Sequence, residues 1–249
     1  AQNALEQAGL KPEDLDLILC ASLSGDAVIP SQACLIQTAL GATCPSLDIN
    51  AACTGFIYAL DIAAGYYARG RVKHVLIVAA EAMSRIIDWT DRATCVLFGD
   101  GAGAAVLGPG DHLLSIKVSA RGDAKALYQA GRSGNNPFAA YKPVNPYVFM
   151  DGQEVFKFAV TSLVQDMREV VSQAGIQMEA LKYILPHQAN MRIINAAVPR
   201  LGVPAEKFLK NINRLGNISA ASIPILLDES NRAGLFQPGY LLAFSAFGG

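Results

Sequence analysis

The chain has 249 residues, 52% of them hydrophobic, and a formal net charge of −1. That length can fill a large core, in one big domain or two fused halves, while the near-zero charge argues against nucleic acid as the main partner. No apolar run is long enough to span a bilayer and nothing reads as a signal peptide; five cysteines, an odd number without metal-ligand spacing, describe a reduced, cytoplasmic chain.

In chain order, residues 1–9 read as the end of a helix stopped by Gly9. Leu15 to Ala21 reads as a strand buried on both faces, and Pro30 to Leu40 as a helix. Leu47 to Ile49 is a short apolar strand that leads through small residues to Cys53, where the next helix should begin. From Thr54 to Arg69 only Asp61 and Arg69 are charged, so that helix should be buried. Val75 to Ala80 is another buried strand. Cys95 to Leu107 carries Phe98-Gly-Asp-Gly-Ala-Gly103 between apolar runs, the pattern of a glycine-turned hairpin. Its glycines fall as G-x-G-x-G and β-favouring residues follow, which rejects a dinucleotide fingerprint. His112 to Ala120 reads as a strand. Arg121 to Phe149, rich in Gly, Asn, Pro and Tyr, reads as a long excursion of the functional or mobile kind. Gly152 to Gly175 is a helix with apolar positions at Val155, Phe158, Ala159 and Leu163.

The chain repeats itself. Gln7-Ala-Gly-Leu-Lys-Pro-Glu-Asp-Leu-Asp-Leu-Ile-Leu19 aligns with Gln173-Ala-Gly-Ile-Gln-Met-Glu-Ala-Leu-Lys-Tyr-Ile-Leu185 at a constant offset of 166 (173 − 7). Each copy reads helix end, turn, buried strand, then helix, followed by a second strand-to-helix unit. Two copies at this spacing indicate a duplicated α/β half rather than a solenoid. Strand-end loops of two such halves can converge on one crevice, where open α/β sheets bind ligands.

Three chemistry-bearing residues follow strands: Cys53, His187 in Leu185-Pro-His-Gln-Ala-Asn190, and Asn217 in Asn213-Arg-Leu-Gly-Asn-Ile-Ser-Ala220. A helix N-terminus presents unpaired N–H groups and the positive end of the macrodipole, which would lower the Cys53 pKa from about 8.5 toward neutrality. Singly, each has a plain structural reading: a cysteine in the core, a satisfied histidine, a Gly-Asn turn. At the corresponding ends of three strands they are much harder to dismiss together. Their types fit the chemistry implied by the resemblance given next, acyl transfer from a thioester: a soft nucleophile can capture the acyl group, and the imidazole and the amide are two neutral donors for an enolate oxygen. Such chemistry requires no metal, nicotinamide or flavin.

At these residues the sequence resembles β-ketoacyl-acyl-carrier-protein synthase III, a condensing-enzyme family of the thiolase-like superfamily, along its full length. The motifs are Asn50-Ala-Ala-Cys-Thr-Gly-Phe56, Thr90-Asp-Arg92, Phe98-Gly-Asp-Gly-Ala-Gly-Ala-Ala105, Pro186-His-Gln-Ala-Asn190, Gly216-Asn-Ile-Ser-Ala-Ala-Ser222 and Ala246-Phe-Gly-Gly249. The resemblance implies an α/β fold of two duplicated thiolase-like halves, residues 1–120 and 121–249, in five αβαβα layers. It implies that acyl-CoA primes Cys53, and that malonyl-acyl-carrier protein then condenses beside His187 and Asn217, with no cofactor. It places Gly249 with the Cys53 N–H in an oxyanion hole, Arg92 against coenzyme A, and Arg192, Lys157 and Arg200 at the docked carrier protein. It implies a homodimer in which Asp26-Ala-Val-Ile-Pro30 reaches toward the partner's acyl pocket, so that Ile29 helps set starter size. Members of the family extend further upstream and past Gly249, so the given chain is expected to be a segment that is not self-sufficient.

Close alternatives are separated by single positions. Thiolases carry a second cysteine where Ala246-Phe247 stands, and elongating synthases a histidine where Asn217 stands. A Cys-His-Asn condensing enzyme of secondary metabolism, with a different starter or acceptor, is the runner-up. A catalytically silent partner subunit would have lost the nucleophile that Cys53 retains.

Overall fold

Strand β1 (Leu17–Ala21) is buried along its whole length, which requires neighbours on both edges and cover on both faces. In the computed structural model, which describes residues 1–131, 134, 137–138 and 144–249, it has both. Strands β2 (Ser46–Ile49) and β3 (Val75–Ala82) pair with it in parallel, and β4 (Asp100–Leu107) runs antiparallel to β3. Alternation along the strands sends Ile18, Cys20, Leu76 and Val78 to one face, packed with Leu5 of α1 (Gln2–Ala8) and Ala33 of α2 (Gln32–Leu40). Leu17, Leu19, Val75 and Ile77 go to the other, against Phe56, Ala59 and Ala63 of α3 (Gly55–Ala68). Helix α2 starts where Ser31 accepts the Cys34 N–H, and Asp48 on β2 accepts the N–H groups of Gln32 and Ala33. A carboxylate thus satisfies orphan donors of the first turn.

After β4 come a short antiparallel pair, β5 (Leu127–Tyr128) with β6 (Phe149–Met150), and the long helix α4 (Gly152–Gln173) capped by Asp151. Part of the 121–149 excursion lies outside the described residues. A second sheet is formed by β7 (Leu181–Pro186) and β8 (Leu241–Ser245) in parallel, with Phe208 bridged to Ile184 on the other side. Helices α4 and α5 (Met191–Leu201) bury Leu163, Met167, Ile193 and Ile194 against it. After the short α6 (Ile212–Leu215), helix α7 (Ser222–Arg232) packs against β4 of the first sheet and β7 of the second, and its Ile223 joins the α3 cluster. The order is therefore α1/α2, sheet, α3/α7, sheet, α4/α5: the five αβαβα layers.

The sequence offset recurs in the backbone. Gly9 and Gly175, 166 apart, both end helices in left-handed conformation (φ 65° and 68°). The 3₁₀ turns Pro12–Asp14 and Met178–Ala180 keep the same offset. Past the second strand the offset becomes 167 (219 − 52): the turns Ala52–Thr54 and Ser219–Ala221 precede α3 and α7. Their first residues, Ala52 and Ser219, are the non-glycine residues with positive φ, 42° and 46°. Asn50 and Asn217 stand two positions before them, and each accepts the N–H of its strained residue, at 3.4 and 2.8 Å.

Two expectations fail. Residues 95–107 do not form a hairpin. Gly99, Gly101 and Gly103 lie at alternate positions, on one face of a single strand and its approach, because methyls there would strike Leu215, Ile218 and the Pro224–Ile225 backbone. The glycines admit α7 and the Asn217 loop rather than turning the chain. Residues 112–120 form no strand; they run beside α4, held by side chains, with Ser115 donating to the Val170 carbonyl and Lys117 paired with Asp166 and Glu169.

Candidate active site

Cys53 sits in the 3₁₀ turn at the head of α3. It is positioned by close approach: a Cβ on Gly55 would stand 2.8 Å from the Ala21 Cβ, and one on Gly248 would stand 2.8 Å from the Cys53 Cβ and 3.1 Å from its nitrogen. Only glycines let the C-terminal loop reach the nucleophile turn. Burial pushes the Cys53 thiol up to about 11, against smaller opposing contributions from the Ser219 hydroxyl and its own backbone N–H, with Glu81 adding repulsion. The lowered pKa expected from the helix start alone is therefore not what this site shows: at this buried position desolvation outweighs it.

His187 leaves the end of β7, where its N–H donates to the Ser245 carbonyl at 2.7 Å. Its ring is 1% exposed, stands edge-on to Phe247 at 5.5 Å, and has no hydrogen-bond partner on either nitrogen among the described residues. Burial lowers its pKa to about 3, so it is neutral in physiological conditions, with one nitrogen free to donate. Asn217 is fixed by its backbone: its N–H donates to Leu97 and its carbonyl accepts from Gly99. Its Oδ1 accepts the Ser219 N–H at 2.8 Å, which leaves the amide Nδ2 to donate. One buried side chain ties the two loops together. Gln188 donates to the Pro186 carbonyl, and its Oε1 accepts the N–H groups of Asn211 and Ile212.

Cys53, His187 and Asn217 line one cavity of about 310 Å³. Gly248 and Gly249 line it too, and Leu127 and Met150 of the β5/β6 pair form part of its wall, so the long excursion contributes to the site. Gly248 approaches Cys53, whereas Gly249 packs against Leu127. A larger open groove lies on the outer face of α4, lined by Arg168, Glu169 and Arg200 among others, and holds none of the three residues. The cationic candidates are dispersed. Arg92 is exposed on the turn before β4 and does not line the cavity. Arg192 is exposed in the first turn of α5, next to the cavity-lining Ile193. Lys157 is exposed on α4 beside the cavity-lining Phe156 and pairs with Glu154 at 2.7 Å. Arg200 lies eight residues beyond Arg192, roughly 12 Å further along the helix axis. Among the described residues no group of three or more His, Cys, Asp or Glu is placed to hold a metal ion, and no helix is long and apolar enough to cross a membrane.

The model of the 3-oxoacyl-[acyl-carrier-protein] synthase III family matches residues 47–122, and the model of its C-terminal part matches residues 171–249. The β-ketoacyl-[acyl-carrier-protein] synthase III of Clostridium acetobutylicum is 42% identical over 254 residues, covering 100% of this chain and 78% of the relative. The chain belongs to the β-ketoacyl-acyl-carrier-protein synthase III family. The crystal structure of the Aquifex aeolicus VF5 synthase III superposes with a TM-score of 0.85 at 42% identity, covering 100% of this chain and 78% of that one. The priming β-ketosynthase of the R1128 polyketide pathway superposes with a TM-score of 0.83 at 34% identity, over 98% and 74% of the two chains. The fold is accordingly the thiolase-like fold of synthase III, and the chain is an acyltransferase of the condensing type that initiates fatty acid synthesis.

The sequence missed Glu81, which lies in no motif, and did not single out Ser219 and Gln188, which sit inside the motifs of Asn217 and His187. The internal repeat held a usable signal for Ser219: at the sequence offset of 166 it falls opposite Cys53, and in the backbone, one residue further on, opposite Ala52.

Proposed function

We propose that Cys53 accepts the acyl group of an acyl-CoA starter, and that the acyl-enzyme then condenses with malonyl-acyl-carrier protein as carbon dioxide leaves. In the first step the thiolate attacks the thioester carbonyl. The oxyanion is met by the Cys53 N–H and the Gly249 N–H, the latter brought in because Gly248 carries no side chain to collide with Cys53. In the second, loss of carbon dioxide leaves an enolate, to which the neutral His187 ring and the Asn217 amide donate. Neither donor carries charge, so both serve a developing anion without a proton having to be gained first. The observation that carries this reading is the convergence of Cys53, His187 and Asn217, from both repeated units, on one cavity.

In this reading residues 1–120 supply the nucleophile and residues 121–249 the enolate donors. Arg192 and Lys157, at the cavity end of their helices, receive the acidic carrier protein, with Arg200 at the periphery, while Arg92 holds coenzyme A. The protein works as a cytoplasmic homodimer. Large apolar side chains left outside, Ile29 at 89% and Val28 at 71% exposure, support a protein partner on that face, with Ile29 directed toward the partner's acyl pocket.

Three purified variants test the assignment, each assayed for acyl adduct by mass and for carbon dioxide release. Asn217→Ala should keep acyl-enzyme formation and lose malonyl decarboxylation by about 10²–10³. His187→Ala should behave likewise. The wild type should gain the adduct and Cys53→Ala should not; a silent subunit would gain none even in the wild type. Decarboxylation by Asn217→Ala at the wild-type rate would make the Gly-Asn loop structural only.

A further inference from the structure

One ionisable group beside the cavity has no part in these steps. Glu81, near the end of β3, is 5% exposed. Its Oε2 accepts from the Ser24 hydroxyl at 2.5 Å and from the Leu23 N–H at 3.2 Å, and its Oε1 is buried without a hydrogen-bond partner among the described residues. Burial raises its pKa above the usual carboxylate range. The turn that carries Ser219 packs both on β3, which carries Glu81, and on the turn that carries Cys53. Ser219 interacts with both the Cys53 thiol and the Glu81 carboxyl, yet its hydroxyl is buried and makes no regular hydrogen bond at rest. Its backbone is held at φ 46°, a conformation that costs a non-glycine residue energy and that collects at functional sites.

We propose that Glu81, acting through the Ser219 hydroxyl, is the proton acceptor of the Cys53 thiol. The inference rests on Cys53 being the nucleophile. On activation the Cys53 S–H bond breaks and its proton passes to Ser219 Oγ, while the Ser219 O–H proton passes to Glu81 Oε1. The thiolate is left accepting a hydrogen bond from Ser219, and Glu81 becomes a neutral carboxylic acid donating to Ser219. One S–H bond is exchanged for one O–H bond, and the negative charge moves without a second being created in a desolvated site. His187, with its pKa depressed by burial, is a poor acceptor for this proton. The other titratable group that senses Glu81 is Cys20 on β1, whose thiol is pushed up to about 12 chiefly by burial, but it lies on the opposite face of the sheet, towards α1 and α2. No lysine or arginine among the described residues contributes to Cys53 or Glu81. Glu81 is in these terms a positioning residue for the nucleophile's proton.

The structural alternative has the opposite sign, which makes the test sharp. If Glu81 were only a buried negative charge, its repulsion would suppress the thiolate, and Glu81→Gln would make Cys53 more reactive. If Glu81 takes the proton, the same substitution makes it less reactive. The Gln side chain can still accept from Ser24 and Leu23, and thermal melts of each variant check the fold. The measurement is the rate of iodoacetamide labelling at Cys53, followed by peptide mass from about pH 6 to about pH 10, for the wild type, Glu81→Gln and Ser219→Ala. Both variants should slow by about a hundredfold or more near neutral pH, the low end for a lost general base, and approach the wild type at the alkaline end, where hydroxide removes the proton directly. A Glu81→Gln protein that labels as fast as the wild type or faster near neutral pH overturns the proposal. So does a Ser219→Ala protein with unchanged kinetics, which also decides the matter if Glu81→Gln does not fold. Labelling of another cysteine in the wild type would instead remove Cys53 as the nucleophile, a separate failure visible in the peptide that carries the label.

Discussion

His187 makes stability depend on pH in a way that a single substitution should remove. The ring is buried with neither nitrogen hydrogen-bonded, and its pKa falls from 6.5 to about 3. Folding therefore favours the neutral ring. Its contribution is complete above the unfolded value of 6.5 and is lost as pH falls toward 3, because the unfolded chain binds a proton that the folded chain refuses. Each pH unit inside that window is worth about 1.4 kcal/mol, so the whole window carries on the order of 5 kcal/mol, about 2 kcal/mol of which disappears between pH 7 and pH 5. His187→Gln has nothing to titrate there, and His74 and His112 are common to both proteins. Urea unfolding at pH 7, 6, 5.5 and 5, followed by circular dichroism, should show the stability difference between wild type and variant shrinking by about 2 kcal/mol toward acid. A difference that stays constant over this range would mean that the folded ring titrates near its ordinary value, and the desolvated, neutral donor assigned to the condensation step would have to be given up.

Two further substitutions probe what supports the site. Gly103→Ala would place a methyl 2.8 Å from the Ile225 nitrogen and 2.9 Å from the Pro224 carbonyl carbon; overpacking of that kind typically costs about 1–3 kcal/mol, and urea unfolding at neutral pH should read it, with condensation falling more than acylation because α7 and the Asn217 loop shift together. Gln188→Leu would leave the Asn211 and Ile212 N–H groups without their acceptor, at about 1–3 kcal/mol for each group left buried and unpaired; acyl-enzyme formation measured by mass should persist while carbon dioxide release drops, and equal losses in both would place the effect on the whole fold.

The fold was legible wherever burial set the pattern. Continuous apolar runs marked β1 and β3, Gly9 and Gly175 marked helix ends, and the repeat at an offset of 166 disclosed two related halves. Boundaries slipped where capping decided them: Pro30 and Ser31 precede the helix that begins at Gln32, because Ser31 is the cap. The glycines of residues 99–103 were misread because glycine serves equally for a turn and for close approach, and only a neighbour distant in sequence decides which. Residues 112–120 have the composition of a strand, but they lie along α4 without a ladder. The Cys-His-Asn set was legible through its motifs. Glu81 was not, since a glutamate near a strand end reads as a solvated charge until the elements that bury it are assembled. The Cys53 pKa went the other way from expectation for the same reason: a helix start is local, whereas desolvation is a property of everything packed around it.

The alternating glycines of β4 also act as a gauge. In the ladder Gly101 lies opposite Glu81 and Gly103 opposite Ala79, so the smooth face of β4 and the carboxyl of β3 point to the same side of the sheet. A slip of one residue would exchange every glycine on that face for its neighbour, Asp100, Ala102 or Ala104, and side chains would stand where α7 and Ile218 now touch backbone. The depth at which the Asn217 loop rests over the first sheet thus depends on strand alignment as well as on its hydrogen bonds to Leu97 and Gly99. A tolerance of one methyl separates a seated second half from one held off the first sheet, which makes the glycine face of β4 intolerant of added side chains even though it contributes no reacting atom.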